Sequence, residues 1–258
     1  MVTRYAVFLD GQGLADIDPS IYVTDIAYAQ PDLLLNTADK PTRAGQIVTR
    51  RNVQRSVVSI SFEVHEYDTA RRQDILRRIQ AWAMHGGMLT TGDRPGQRLR
   101  VICTAPPTIT SALRWTQRLQ MTFSAFSQPY WEDVQETRTT ITGKEGAKTI
   151  YVAGVSPAAY VSAEVTNSSG QTISSLTLRA GDTHFTFENM LFHTDRVLKI
   201  GYDDSMNLFI KLNSASRMQF RTPESSDDLL IPCGKRSEVS IVSDQPVTAT
   251  FKARGLYL

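Results

Sequence analysis

The stretch Val58-Ser59-Ile60-Ser61-Phe62-Glu63-Val64 decides the fold class. Val58, Ile60, Phe62 and Val64 alternate with Ser59, Ser61 and Glu63. A period of two is the mark of a strand with one face in a core and the other in water. Working outward, Leu113, Trp115, Leu119, Met121, Phe123 and Ala125 keep the same phase, broken only at Gln117, and predict one long strand. Leu99, Val101 and Cys103 predict a shorter one. Tyr5 to Leu9, Tyr22 to Tyr28 and Gln46 to Arg50 are further strand candidates.

One segment breaks this rhythm. From about Thr69 to His85 the apolar residues are Ile75, Leu76, Ile79, Trp82 and Ala83, spaced for one face of a helix. Asp68 or Thr69 is placed to cap the first turn, and Gly86-Gly87 to supply the left-handed turn that ends it. Asp74 and Arg78 are four apart and are expected to pair on the exposed face. Arg71, Arg72, Arg77 and Arg78 are assigned to the polar side.

After Pro129-Tyr130-Trp131 the chain turns polar, with Thr137, Thr139, Thr140, Thr142 and two glycines before Ala147. This shift predicts a boundary near residue 135, giving a domain at 1–134 and another at 135–258. The second half holds short strand-like runs with no helix between them: Thr149–Val152, Tyr160–Val165, Ile173–Leu178, Thr183–Phe187, Val197–Tyr202, Leu208–Leu212, Val239–Val242 and Val247–Phe251. Turns such as Ala180-Gly181-Asp182 and Asp203-Asp204-Ser205 separate them, the pattern of a β-sandwich. The expected class is therefore mainly β: an N-terminal β domain with one amphipathic helix, then a C-terminal β-sandwich.

The 258 residues suffice for two cores. No apolar run approaches the length needed to cross a membrane, and the N-terminus has no signal-peptide core. Synthesis in a cytoplasm, without Sec-type export, is expected. Cys103 and Cys233 are too few for a disulfide framework and form no C-x-x-C, so two reduced, buried thiols are expected. Residues 1–134 carry 15 Lys+Arg and 13 Asp+Glu, 15 − 13 = +2, while 135–258 carry 13 of each. In the first half every basic residue except Lys40 is arginine. Arginine's planar fork suits fixed polar contacts between subunits. The near balance of charge does not suit a DNA-binding domain.

Motifs that carry chemistry are incomplete. Gly11-Gln12-Gly13-Leu14-Ala15-Asp16 begins like a dinucleotide fingerprint, but Asp16 replaces the third glycine and Asp18-Pro19 blocks the required helix. It reads as a strand-connecting turn. His65-Glu66 lacks its second histidine, since residue 69 is Thr69. Gly154-Val155-Ser156-Pro157-Ala158 lacks the second glycine of a nucleophile elbow, and Pro157 opposes its helix. Asp203-Asp204-Ser205-Met206-Asn207 has oxygen donors without calcium-loop spacing and reads as a hairpin turn. No catalytic residue, metal or cofactor is assigned. A hydrolase would need carboxylates that converge, with Glu164, Asp182 and Glu188 as candidates. A lectin-like site would need exposed rings, with Tyr151, Tyr160, Tyr202 and Tyr257 available. Arg50, Arg51 and Arg55 form the densest basic cluster outside the helix. With Arg71, Arg72 and Arg78 they are the candidates for subunit contact, against the plainer reading of a solvated face.

The order of elements resembles a known family. Phe8-Leu9-Asp10-Gly11 comes first, then Pro41-Thr42-Arg43-Ala44-Gly45-Gln46-Ile47-Val48, then a strand into a helix with a late tryptophan. Leu89 to Pro95 and a run ending Phe123-Ser124-Ala125-Phe126-Ser127-Gln128-Pro129-Tyr130-Trp131 follow. This is similar to the N-terminal belt domain of siphophage distal tail (Dit) proteins. The second half resembles that family's galectin-like sandwich, with Leu229-Leu230-Ile231-Pro232-Cys233-Gly234 before the last hairpin, although Cys233 parts the usual proline and glycine. The resemblance implies a virion protein: a homohexameric ring at the bacteriophage tail tip, between tail tube and tail-tip hub. Such a ring carries adsorption or receptor-binding proteins and passes DNA through its centre without reading sequence.

Overall fold

The computed structural model describes residues 5–29, 33–39, 46–108, 116–194 and 196–258; the side chains of 33–39, 46–53 and 116–117 lie outside that description. The chain divides into two compact units, Met1–Trp131 with Leu258, and Glu132–Tyr257.

The first unit holds β1 (Val7–Leu9), β2 (Gln12–Gly13), β3 (Ile21–Ala29), β4 (Leu33–Asp39), β5 (Gln46–Val53), β6 (Val57–His65), α1 (Thr69–Met84), β7 (Gly87–Thr91), β8 (Gln97–Ala105), β9 (Thr116–Ala125) and the start of β10 (Trp131–Asp133). Its sheet runs β2-β1-β7-β8-β9-β6-β3, with antiparallel neighbours, while β4 and β5 form a separate two-stranded ladder. The deciding stretch is β6. Val58, Ile60, Phe62 and Val64 are buried, and Ile60 and Phe62 stand opposite Met121 and Leu119 of β9. The long strand expected from Leu113 is described from Thr116 onward; Leu113 and Trp115 lie outside the described residues.

Helix α1 covers one face of this sheet. Ile75, Leu76, Ile79, Trp82 and Ala83 are buried, as their spacing predicts. Trp82 meets Phe123 edge to face at 6.2 Å, and its indole N–H donates to the Gln12 carbonyl at 3.1 Å. The buried ring thus keeps a partner for its polar edge. Asp68 is the N-cap: its carboxylate accepts from the amides of Ala70 at 2.8 Å and Arg71 at 3.3 Å. Gly86, at φ +62, turns the chain left-handed past the helix end. Asp68→Ala removes the acceptor for both amides and is expected to lower stability by about 1 kcal/mol, read as a shift of the urea midpoint without change in slope.

Two expectations for α1 are corrected. Arg72 is 1% exposed, and its guanidinium donates to the Glu66 carbonyl at 2.9 Å. It lies inside the unit, not on the polar side, because it falls three residues before Ile75 on the inward stripe. The Asp74–Arg78 pair does not form among the described residues; Arg78 instead donates to the Ile17 carbonyl.

The second unit holds β11 (Thr137–Tyr151), β12 (Ala159–Asn167), β13 (Ile173–Ala180), β14 (Thr183–Phe192), β15 (Val197–Tyr202), β16 (Leu208–Leu212), β17 (Ala215–Ser216), β18 (Leu230–Ile231), β19 (Arg236–Ala253) and β20 (Leu256–Tyr257). It is a β-sandwich built around one strand. β19 pairs β11 along its whole length on one side. On the other side its first half pairs β13 and its second half pairs β12. Between Val242 and Val247 the register with β11 breaks at a bulge, and there the strand passes from one layer to the other. One layer is thus β14-β13-β19 and the other β19-β12-β15-β16-β17. Their inward faces carry Phe185, Phe187, Phe251, Val161, Val165 and Ile241, all buried.

Two expectations change here. The polar run from Thr137, where no strand is expected before Thr149, is most of β11. It is an edge strand in both layers and buries only Ile141 and Ile150, so no alternation marks it. Val239–Val242 and Val247–Phe251 are not separate strands but the two halves of β19, with Pro246 tolerated at the bulge.

Candidate functional site

None of the incomplete motifs becomes a catalytic centre. Asp10, at φ 50, and Gly11, at φ 83, form the tight turn from β1 to β2. Asp16 then accepts from the Gly13 amide at 2.9 Å where a nucleotide fingerprint would open to phosphate. Ser156 is buried and donates its hydroxyl to the Ala158 carbonyl at 2.8 Å. Asp203 accepts from the amides of Ser205 and Asn207 at 2.8 and 2.9 Å, so the loop after β15 is the expected hairpin turn. Among the described residues no cluster of three or more His, Cys, Asp or Glu is arranged to hold a metal. Glu164 is on the outward face of one layer, beside Thr250. Glu188 is on β14, exposed, in the other layer; Asp182 is in the β13–β14 turn. The three carboxylates do not converge. Cys233 is buried and Cys103 half-buried, and burial pushes both thiols up from their ordinary value.

What the first unit does present is sheet ends and exposed side chains. Among the described residues β2 and β3 end its sheet, and each has one edge without a ladder partner. The β4–β5 hairpin pairs only with itself among the described residues. Arg50 and Arg51 are on β5, opposite Asn36 and Leu35, and their side chains are outside the described residues. Arg55 follows that hairpin and is exposed. On α1, Arg71 and Arg78 are exposed, with Tyr67 just before the helix 80% exposed and Met84 at its end 64% exposed. Arg71 pairs with Glu66 at 3.1 Å and Asp18 at 3.5 Å. Burial pushes the Asp18 carboxyl up, but the Ser20 hydrogen bonds and the Arg71 guanidinium outweigh it and hold the group below its usual range. Of the six candidate arginines, Arg55, Arg71 and Arg78 therefore reach the surface and Arg72 does not.

A second cluster locks the end of this unit. Arg94 stacks on Tyr28 at 4.5 Å and on Trp131 at 5.0 Å. The Tyr28 hydroxyl donates to Asp93 at 2.6 Å and lies 2.9 Å from Thr91. Burial, with the Asp93 carboxylate beside it, raises the Tyr28 hydroxyl above its ordinary value, so it stays a donor. Trp131 is 2% exposed and meets Tyr28 edge to face at 5.7 Å. The sequence marks Trp131 only as part of a Pro-Tyr-Trp; nothing local tells of Tyr28, on β3, or Arg94, in the turn between β7 and β8.

In the second unit the aromatic candidates divide. Tyr151 is 52% exposed. Tyr160 and Tyr202 pack against each other at 4.7 Å, and Tyr202 receives the Leu229 amide at 3.0 Å. Tyr257 donates to Asp133 at 3.2 Å. They form no open stacking platform.

No family model matches this sequence, and no curated protein matches it. Solved structures do. The SPP1 Dit (gp 19.1) protein, described as a paradigm of hub adsorption apparatus in Gram-positive infecting phages, is 13% identical. The match covers 98% of this chain and 99% of that one, with a TM-score of 0.70. Chains of the phage P2 baseplate in its activated conformation match with Ca at 10% identity, TM-score 0.55, covering 99% and 98%. With Sr the values are 11%, 0.52, 97% and 97%. The chain thus has the SPP1 Dit fold from end to end, a mainly β architecture with one α-helix among the described residues.

Proposed function

We propose that this chain is a distal tail protein of a long-tailed phage, a structural virion component and not an enzyme. The observation that carries the reading is the fold shared with SPP1 Dit over 98% of the chain. In this reading the first domain, residues 1–134, closes a homohexameric ring that joins the tail tube to the tail-tip hub. The second, 135–258, sits at the periphery as a platform for adsorption proteins. The protein is assembled in the host cytoplasm and resides at the tail tip in the virion.

Physical features support a ring. A closed ring needs a heterologous interface, in which one face of each subunit meets a different face of the next. The edges at β2 and β3 differ in length and sequence, and the β4–β5 hairpin, which pairs only with itself among the described residues, adds a third ladder. Strand pairing with a neighbour would satisfy these groups. Arg50, Arg51, Arg55, Arg71 and Arg78 are the side chains proposed to contact it; Arg72 acts within its own subunit. The near-neutral charge agrees with a channel that passes DNA without gripping it. Negative-stain imaging of the purified full-length protein at micromolar concentration is expected to give six-fold rings with a central hole. Monomers alone, by imaging and light scattering, would refute the ring.

A further inference from the structure

The register of the β19-β12-β15-β16 layer brings an unusual set of charges onto its outward face. Arg138 of β11 stands directly opposite Lys252 of β19, and Lys199 of β15 directly opposite Lys211 of β16. Like charges in directly opposed positions destabilise a sheet. Directly opposed residues are about 4.5–5.5 Å apart at Cα, so each pair feels its repulsion unless a carboxylate neutralises it or the side chains reach into water. Two such pairs on one face are a cost that packing does not require, and local rules are broken at functional sites more than elsewhere.

Only part of this charge is neutralised within the chain. Lys252 donates to Glu164 at 2.9 Å, and Arg138 pairs with Glu136 at 3.0 Å. Glu136 is shared with Arg254, also at 2.9 Å. Lys199 and Lys211 are exposed and have no carboxylate in ion-pair range among the described residues; Lys211 only rests over the Phe209 ring at 5.1 Å. Glu164 is held below the usual carboxylate range by the Lys252 hydrogen bond first, against burial, and then by the fields of Lys252, Lys199 and Arg138. The cations of three strands therefore act on one point. Around them the face is hydroxylic: Thr140 pairs with Thr250 at 3.0 Å and Thr142 with Thr248 at 3.3 Å.

We propose that this face binds an anionic polysaccharide, with the Lys199–Lys211 pair as the seat of its negative groups. Charge complementarity selects an anion for the two unpaired lysines. Glu164, in the same cross-strand row as Lys199 and Thr250, repels an unbroken run of negative charge and accepts from a hydroxyl. A chain that carries both anionic groups and free hydroxyls satisfies both, and the threonines add partners for the hydroxyls. Duplex DNA offers phosphates without free hydroxyls, and residues 135–258 as a whole carry 13 cationic and 13 anionic side chains, 13 − 13 = 0, too little for a DNA grip. The proposal does not depend on ring closure.

The test is titration calorimetry of the full-length protein at low ionic strength with polygalacturonate, uncharged dextran and duplex DNA, on wild type and a Lys199→Gln/Lys211→Gln variant. Wild type is expected to bind polygalacturonate in a salt-sensitive way, to ignore dextran and to bind DNA more weakly. The double variant should bind polygalacturonate at least tenfold more weakly while melting at the same temperature or higher, because a repulsion is gone. Glu164→Gln should narrow the preference for polygalacturonate over DNA. Absence of polygalacturonate binding by wild type, equal affinity in the double variant, or DNA bound as tightly as polygalacturonate would overturn the proposal.

Discussion

Trp131→Ala is expected to destabilise the first unit by about 3–5 kcal/mol, the cost of removing a large buried aromatic and leaving its cavity. The ring is 2% exposed and packs against both Tyr28 and Arg94, which also stack on each other. Without it the Arg94 guanidinium loses one of its two stacking faces, worth roughly 0.5–2 kcal/mol by itself. Tyr28 in turn loses its edge-to-face neighbour. Trp131→Phe keeps an aromatic face and should cost clearly less. Guanidinium denaturation followed by tryptophan fluorescence and circular dichroism reads both. An alanine variant within about 1 kcal/mol of wild type, well under the cost of a buried aromatic, would mean that the cluster does not hold the unit together.

Gly154→Ala is expected to have a comparable effect on the second unit, at least about 3 kcal/mol. Gly154 has φ +118, where L side chains are strained, and it forms a parallel bridge to Leu256. A Cβ there would overlap the Leu256 carbonyl oxygen and approach its amide nitrogen at 2.7 Å. That same carbonyl accepts from the amides of Val155 at 2.8 Å and Ser156 at 3.3 Å. The backbone cannot yield without breaking both. Calorimetry should show the melting of the second unit shifted down by this substitution, whereas Gly170→Ala, with open space around its Cβ position, should shift it much less.

The parts of the fold that were legible are those where local pattern and tertiary burial agree. β6 alternates because one of its faces is core, and α1 shows its inward stripe, its Asp68 cap and its Gly86 exit. β15 and β16 fall where the sequence places them, at Val197–Tyr202 and Leu208–Leu212. β11 was not legible, since an edge strand with two buried side chains carries no period. Arg72 was misplaced because arginine reads as polar wherever it stands, and only the packed unit shows its guanidinium reaching the Glu66 carbonyl. The cation pairs Arg138–Lys252 and Lys199–Lys211 were invisible for a different reason. Each residue is unremarkable in its own strand, and the conflict exists only once the strands are in register, across the β15–β16 hairpin for Lys199–Lys211 and across a long stretch of chain for Arg138–Lys252.

The central place of β19 bears on how the protein is made. β11, β12 and β13 all pair with it, and Thr140 meets Thr250 across 110 positions of chain. During translation those three strands leave the ribosome long before their common partner. The second unit cannot close cotranslationally strand by strand; it must wait, with open edges, until residues 236–253 emerge, and then collapse in one step. The first unit, whose ladder is complete by Ala125, can already be folded by then. A nascent chain stalled before residue 236 should therefore hold a protease-resistant first half joined to a fully digestible second.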